Sequence, residues 1–197
     1  KVKYGSLSHL VELQHLSKLQ LDGTGVNPKD ISMISQIKSL RHLNLGSIVM
    51  LTKNDLMPLS QLPDLVSLSI HSYPTWAGFQ GIAPLKELKN LEELSLDGSW
   101  SGNREFENEE RLEDSGIAKV IENLPNLKRL KLSNLPTLGP LSMKAIGEIP
   151  GLECLEIPLC IGVLDSDLIS LKNATRLKHL DISQTWLTGS FLEHLHS

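Results

Sequence analysis

With 197 residues, 19 Lys+Arg against 23 Asp+Glu and a formal net charge of −4, the chain lacks the excess of basic residues that marks nucleic-acid binders, so no nucleic-acid partner is expected. No apolar run approaches the ~18 residues of a membrane-spanning helix, and two cysteines, Cys154 and Cys160, cannot build a disulfide framework. Aromatic residues make up only 4% of the sequence, so the core must be assembled from Leu and Ile.

The chain opens on KVKYGS, which reads as the end of an earlier loop, and then sets Leu7, Leu10 and Leu13 ahead of Leu16. From Leu16 onward one pattern recurs: Leu16-Leu19-Leu21, Leu40-Leu43-Leu45, Leu65-Leu68-Ile70, Leu91-Leu94-Leu96, Leu127-Leu130-Leu132, Leu152-Leu155-Ile157 and Leu177-Leu180-Ile182. Relative positions 0, 3 and 5 do not share a helical face, whereas 3 and 5 project to the same side of a strand, so each copy predicts a short buried strand with a lead-in leucine. The lead leucines are separated by 24, 25, 26, 36, 25 and 25 residues, the period of a solenoid with one strand and one return segment per coil.

Counting back from each lead leucine by 3, 6 and 9 finds further apolar residues, such as Ile37-Ile34-Ile31 and Leu88-Leu85-Ile82. That spacing predicts short return helices, α or 3₁₀, with one apolar face. Pro58 and Pro84 stand where a first helical turn tolerates proline, and Pro63, Pro125 and Pro150 stand where a helix must stop. A strand followed by a wider helical layer, repeated, must curve with the strands inside.

These features resemble the leucine-rich repeat family over essentially the whole chain. The pattern is most similar to repeats of about 25 residues of the bacterial and cysteine-containing types, in which Thr or Cys follows the strand, as at Thr24, Cys160 and Thr185; Ile48, Tyr73, Ser99 and Leu135 depart from it. The resemblance implies an α/β fold, a right-handed horseshoe arc of seven strands with a concave parallel sheet and short convex helices. It implies a single domain over residues 1–197.

The fourth coil is longer than the others and carries an insertion within residues 98–116. There Glu105, Glu107, Glu109, Glu110, Glu113 and Asp114 face only Arg104 and Arg111, six acids against two bases. An acidic arm with Trp100 and Phe106 fits a basic partner; a solvated loop that tolerates growth at the surface explains the same residues. The chain ends on a partial return segment with Leu192 and Leu195 and shows no polar cap at either end, so it is expected to be a piece of a longer protein. Few cysteines and no cysteine caps favour a cytoplasmic, reducing compartment, while a chain starting at Lys1 leaves a secreted or cell-surface route with a removed leader open.

On each strand the residues at offsets 2, 4 and 6 from the lead leucine face the concave surface. Offset 2 reads Lys18, His42, Ser67, Glu93, Arg129, Cys154, His179, and offset 4 reads Gln20, Asn44, Ser69, Ser95, Lys131, Glu156, Asp181. At offset 6 stand Asp22, Gly46, His71, Asp97, Ser133, Pro158 and Ser183. In the later coils the charges alternate along the ladder, predicting pairs that neutralise one another. The first three strands offer His42, Asn44, Ser69 and His71 with Tyr73, Trp76 and Trp100 at the rim, a surface suited to a protein or peptide partner.

The expected function is therefore protein–protein interaction on the concave face, with no cofactor, no metal and no catalytic residue. A recognition segment of a larger effector or ubiquitin-ligase adaptor is the alternative. A third reading is a thiol enzyme with Cys154 as nucleophile and His179 as base beside Glu156 and Asp181. Phosphate-loop, zinc-protease and serine-elbow motifs are absent.

Overall fold

The computed structural model describes residues 6–49, 51–52, 54–73, 81–98 and 112–195. Seven strands, β1 (Lys18–Gln20), β2 (His42–Val49), β3 (Ser67–Tyr73), β4 (Glu93–Gly98), β5 (Arg129–Ser133), β6 (Cys154–Glu156) and β7 (His179–Asp181), form one open sheet in chain order. Every neighbouring pair is parallel. The register follows the repeat: Leu19, Leu43, Leu68, Leu94, Leu130, Leu155 and Leu180 stand side by side across the sheet. Each coil docks on the next through one recurring contact, in which the carbonyl at offset 1 accepts two successive N–H groups. The Glu92 carbonyl, for example, takes Lys128 N at 2.8 Å and Arg129 N at 2.9 Å.

The return segments are short helices. They comprise 3₁₀ turns at Ser6–Glu12, Met57–Gln61, Ala83–Glu87, Ile169–Asn173 and Ser190–His194, and helices α1 (Pro28–Ile34), α2 (Asp114–Ile121), α3 (Pro140–Gly147) and α4 (Asp165–Leu168). Pro58 and Pro84 stand second in their 3₁₀ turns, within the first turn, where the missing N–H has no partner inside the helix to lose. Between the two layers runs a continuous core of Leu and Ile; Ile31, Leu59, Leu85, Ile146 and Leu168 on the helical side and Leu45, Leu65, Leu130 and Leu155 on the sheet side are at or near full burial. Each such side chain contributes about 1.5–3 kcal/mol relative to leaving it in water.

Where a Thr or Cys follows the strand it bonds a backbone carbonyl: Thr24 Oγ1 and Thr185 Oγ1 donate to Leu21 O and Ile182 O at 2.6 Å, and Cys160 Sγ donates to Leu132 O at 3.1 Å. Ile48 and Leu135 fill the same layer as buried hydrocarbon. The sequence departs from its repeat there without departing from the fold, because that position needs filling more than it needs a hydroxyl.

Three details differ from the expectation. Gly46 does not take its place opposite His71: β2 shifts register after Asn44, and Ser47 pairs with His71 instead. Gly46 adopts φ +62°, and a Cβ there would lie 2.8 Å from both Asp22 Cα and Leu21 O, so the backbone just after β1 passes β2 too closely for any side chain. Leu13 is 48% exposed rather than buried. At the other end Phe191 is fully buried while Leu192 is 54% exposed, so the ring supplies the apolar contact expected of the leucine.

Helix ends are secured across coils. Asp114, the first residue of α2, accepts N–H bonds from Gly139 (3.0 Å), Leu141 (2.9 Å) and Ser142 (2.9 Å) at the start of α3, whose own N-cap is Gly139 and has no side chain to offer. Asp165 at the start of α4 likewise accepts from Thr188 N (3.0 Å) and Gly189 N (2.9 Å) ahead of the last 3₁₀ turn. These bonds hold its carboxyl below the usual carboxylate range, with the Thr188 N–H the leading cause.

Candidate functional site

The concave face carries the predicted columns in lattice order. Lys18, His42, Ser67, Glu93, Arg129, Cys154 and His179 are register partners, and so are Gln20, Asn44, Ser69, Ser95, Lys131, Glu156 and Asp181. Neighbouring members of one column lie ~4.8 Å apart, which is what lets adjacent charges pair.

Over β4 to β7 they do pair. Glu92 meets Lys128 at 2.8 Å, Glu93 meets Arg129 at 3.4 Å, Lys131 meets Glu156 at 2.7 Å and Glu153 meets Lys178 at 2.9 Å. The Glu156 hydrogen bond raises the Lys131 ammonium above its ordinary value, and the Lys178 hydrogen bond lowers the Glu153 carboxyl below its own. The self-neutralising ladder expected from the sequence is therefore present.

The first three strands are less empty than the sequence suggested. Asn44 Nδ2 donates to Asp22 Oδ2 at 2.7 Å, and Asn44 Oδ1 accepts the Gly46 N–H at 2.8 Å, so the bulge residue is braced by the candidate contact residue. His71 Nε2 stands 3.8 Å from Asp97 Oδ1. His42 is exposed on the concave surface, with Ser67 of β3 as its register partner; Ser69 is half-buried beside Asn44. The sheet is widest here, since β2 and β3 continue through Ser47↔His71, Ile48↔Ser72 and Val49↔Tyr73 whereas β1, β6 and β7 have three residues each. Tyr73 ends β3 at that edge. Trp76 and Trp100, and the acidic insertion between residues 99 and 111 with Phe106, lie outside the described residues.

A shallow depression of about 240 Å³ opens on the same face over β3 to β6, lined by Ser69, Glu93, Ser95, Arg129, Lys131 and Glu156. Of the predicted contact residues it includes Ser69 and leaves out His42, Asn44 and His71. The column assignment alone could not locate it, because its depth comes from small serines flanked by long paired side chains.

The residues of the thiol-enzyme reading are brought together. The Cys154, Glu156 and His179 donor atoms all lie within 4.8 Å of one another. Their chemistry opposes a nucleophile: burial first, then the Glu156 charge, pushes the Cys154 thiol above its ordinary value, and Cys154 Sγ donates to Glu156 Oε1 at 3.8 Å. A catalytic thiol needs the opposite shift. Cys160 is buried in the core and its thiol is pushed up to about 12 by desolvation, which makes it inert.

An open, all-parallel seven-stranded sheet with short helical returns between its strands and a Leu/Ile ladder across them defines a leucine-rich-repeat solenoid. Among solved structures the chain is similar to an internalin from Listeria monocytogenes, with 19% identity and a TM-score of 0.66 over 95% of this chain and 48% of that one. It is also similar to an internalin C2 from Listeria monocytogenes, with 20% identity and a TM-score of 0.48 over 97% of this chain and 62% of that one. The chain thus spans about half the length of the first internalin. No protein-family model matches the sequence, and no curated protein matches it.

Proposed function

We propose that this chain is a non-enzymatic protein-interaction module that holds a protein or peptide partner against its concave sheet. The observation that carries the reading is the division of that face: charges over β4 to β7 are committed to one another, while over β2 and β3 the column residues His42, Asn44, Ser67 and Ser69 include no carboxylate or ammonium and are solvent-reachable. A surface of fixed, polar side chains without carboxylate or ammonium groups costs little ordering entropy and little charge desolvation when a partner covers it. The contact is centred on His42, Asn44, Ser69 and His71, with Tyr73, Trp76 and Trp100 as rim anchors. The acidic insertion, residues 98–116, is a second contact for a basic partner. The same module serves alone or as the recognition segment of a longer effector or ubiquitin-ligase adaptor.

A photo-crosslinking residue at position 69 identifies the partner, which is then titrated in purified form. Trp76→Ala combined with His71→Ala is expected to weaken binding by ~30-fold or more, since truncating an aromatic hot spot costs about 2 kcal/mol. Arg129→Ala and Lys131→Ala should each change it less than about threefold. The reverse ranking would move the contact to the paired half, and an ssRNA or DNA ligand in place of a protein would overturn the partner class.

A further inference from the structure

β6 and β7 bring three different metal-binding groups to one spot. Cys154 and Glu156 are two apart on β6 and so project to the same face, and His179 is the register partner of Cys154 on β7. Their thiol, carboxylate and imidazole donors all lie within 4.8 Å of one another, and Cys154 Sγ is 3.8 Å from Glu156 Oε1. Two ligands on one tetrahedral zinc stand roughly 3.3–3.6 Å apart, given Zn–S near 2.3 Å and Zn–N or Zn–O near 2.0–2.2 Å. The sulfur and oxygen are already close to that separation, and the exposed His179 ring needs to swing by about an ångström.

The surroundings fit a cation between sulfur and carboxylate. Lys131 on β5 holds the other Glu156 oxygen, Oε2, at 2.7 Å, which orients the carboxylate and leaves Oε1 turned toward the thiol. Asp181, two residues from His179 on β7 and the register partner of Glu156, places a second carboxyl on the same face. Arg129, the register partner of Cys154 on β5, reaches the thiol with its guanidinium and is also tied to Glu93 at 3.4 Å. A divalent ion placed between Sγ and Oε1 meets both donors at once, with the thiol proton passing to solvent as the thiolate binds.

The geometry points to a zinc-class divalent metal site formed by Cys154 Sγ, Glu156 Oε1 and His179, with its fourth position open to the concave surface. A soft thiolate with one imidazole and one carboxylate selects zinc or cobalt over magnesium or calcium, which prefer all-oxygen shells. Water completes the ion in the free protein, and a donor from a bound partner can replace it. The site does not depend on the interaction reading and uses the strands that reading leaves out.

The test is titration of the chelator-treated, reduced chain with Zn²⁺ and with Co²⁺. Saturation at one ion per chain is expected, with a thiolate-to-cobalt charge-transfer absorption and a zinc-dependent rise in Tm. Cys154→Ser should abolish the absorption, His179→Ala and Glu156→Gln should each weaken binding by ~100-fold or more, and Cys160→Ala should bind as the parent does. His179→Ala alters an exposed ring and keeps the test readable if the Cys154 variant does not fold. Weak binding without the thiolate band, or parent-like affinity in both the His179 and Cys154 variants, overturns the site in favour of adventitious surface histidines; no saturable binding overturns it outright.

Discussion

The first three strands and the last four are built on the same apolar ladder but carry different polar ones. Leu43 on β2 and Leu130 on β5 are each 1% exposed and occupy equivalent positions, yet the column residues beside them are His42 and Asn44 in one case and Arg129 and Lys131 in the other. The inward pattern repeats because every coil must bury the same face against its neighbour, and the outward pattern is free to vary because the lattice positions it whatever its chemistry. Architecture and surface chemistry are thus written on alternate residues of the same strands.

If the two halves share one core, Leu43→Ala and Leu130→Ala should destabilise alike, each by about 2–5 kcal/mol, the range for emptying a fully buried leucine site. Urea unfolding monitored by circular dichroism measures both. A loss in one half several times that in the other would break the equivalence of the coils.

Two further changes sharpen the comparison by striking at what is not repeated. Gly46→Ala should cost about 1–3 kcal/mol, because the left-handed backbone at φ +62° and the 2.8 Å approach of the Leu21–Asp22 backbone leave no room for a methyl group. The effect should be confined to β1 and β2, visible as faster amide exchange at Leu21, whose N–H bonds Asn44 O at 2.9 Å. In the other half Asp114→Ala should cost about 1–3 kcal/mol by orphaning the Gly139, Leu141 and Ser142 N–H groups, and Asp114→Asn should recover part of it.

These two sites also mark where the sequence stopped being legible. The strand register, the return helices, the proline stops and the salt ladder could all be read from the chain, because each depends on spacing within a coil or on same-offset residues in adjacent coils. The bulge at Gly46 depends on how closely the Leu21–Asp22 backbone passes, and the Asp114 and Asp165 caps join residues more than twenty positions apart that share no offset. Asn90 and Asn126 do follow the repeat: both stand one residue before a lead leucine and donate backward to Pro63 O at 3.0 Å and Lys89 O at 2.9 Å, each two residues before the preceding lead leucine. Their shared position was the available signal. At the site the columns were legible, whereas the depression over β3 to β6 and the bracing of Asn44 by Asp22 needed side-chain lengths in place.

Acid should separate the halves more gently. Asp165, Asp181 and Glu153, all in the last coils, have carboxyls held below their ordinary values by hydrogen bonds from Thr188, Ser183 and Lys178 respectively. A carboxyl depressed in the folded state contributes stability that is present above its unfolded pKa and is lost as pH falls through the folded value. Thermal unfolding followed from neutrality to about pH 3 should therefore show a stability loss below the ordinary carboxylate range, and Asp165→Asn should flatten part of that slope. An unchanged slope in the variant would remove the cross-coil cap from the account.

The smallest effect tests the electrostatic asymmetry itself. Lys128 and Glu92 lie 2.8 Å apart on the paired half with side chains 52% and 41% exposed, and Arg41 and Asp64 lie 3.5 Å apart on the other half with 49% and 53% exposure. Both pairs stand in water, so neither exceeds about 1 kcal/mol, but only Lys128 belongs to a ladder in which Glu153 and Lys178 continue the alternation on the following strands. Removing one charge from a ladder exposes its neighbours to a changed field, whereas removing one from an isolated pair affects a single partner. A double-mutant cycle on Lys128 and Glu92 should give a coupling of a few tenths of a kcal/mol that shrinks as salt rises toward 1 M, where the screening length falls to ~3 Å. The Arg41 and Asp64 cycle should give less. Equal couplings with equal salt dependence would mean that the charges over β4 to β7 are not committed to one another as a network, and the concave face would then offer no electrostatic reason for a partner to prefer β2 and β3.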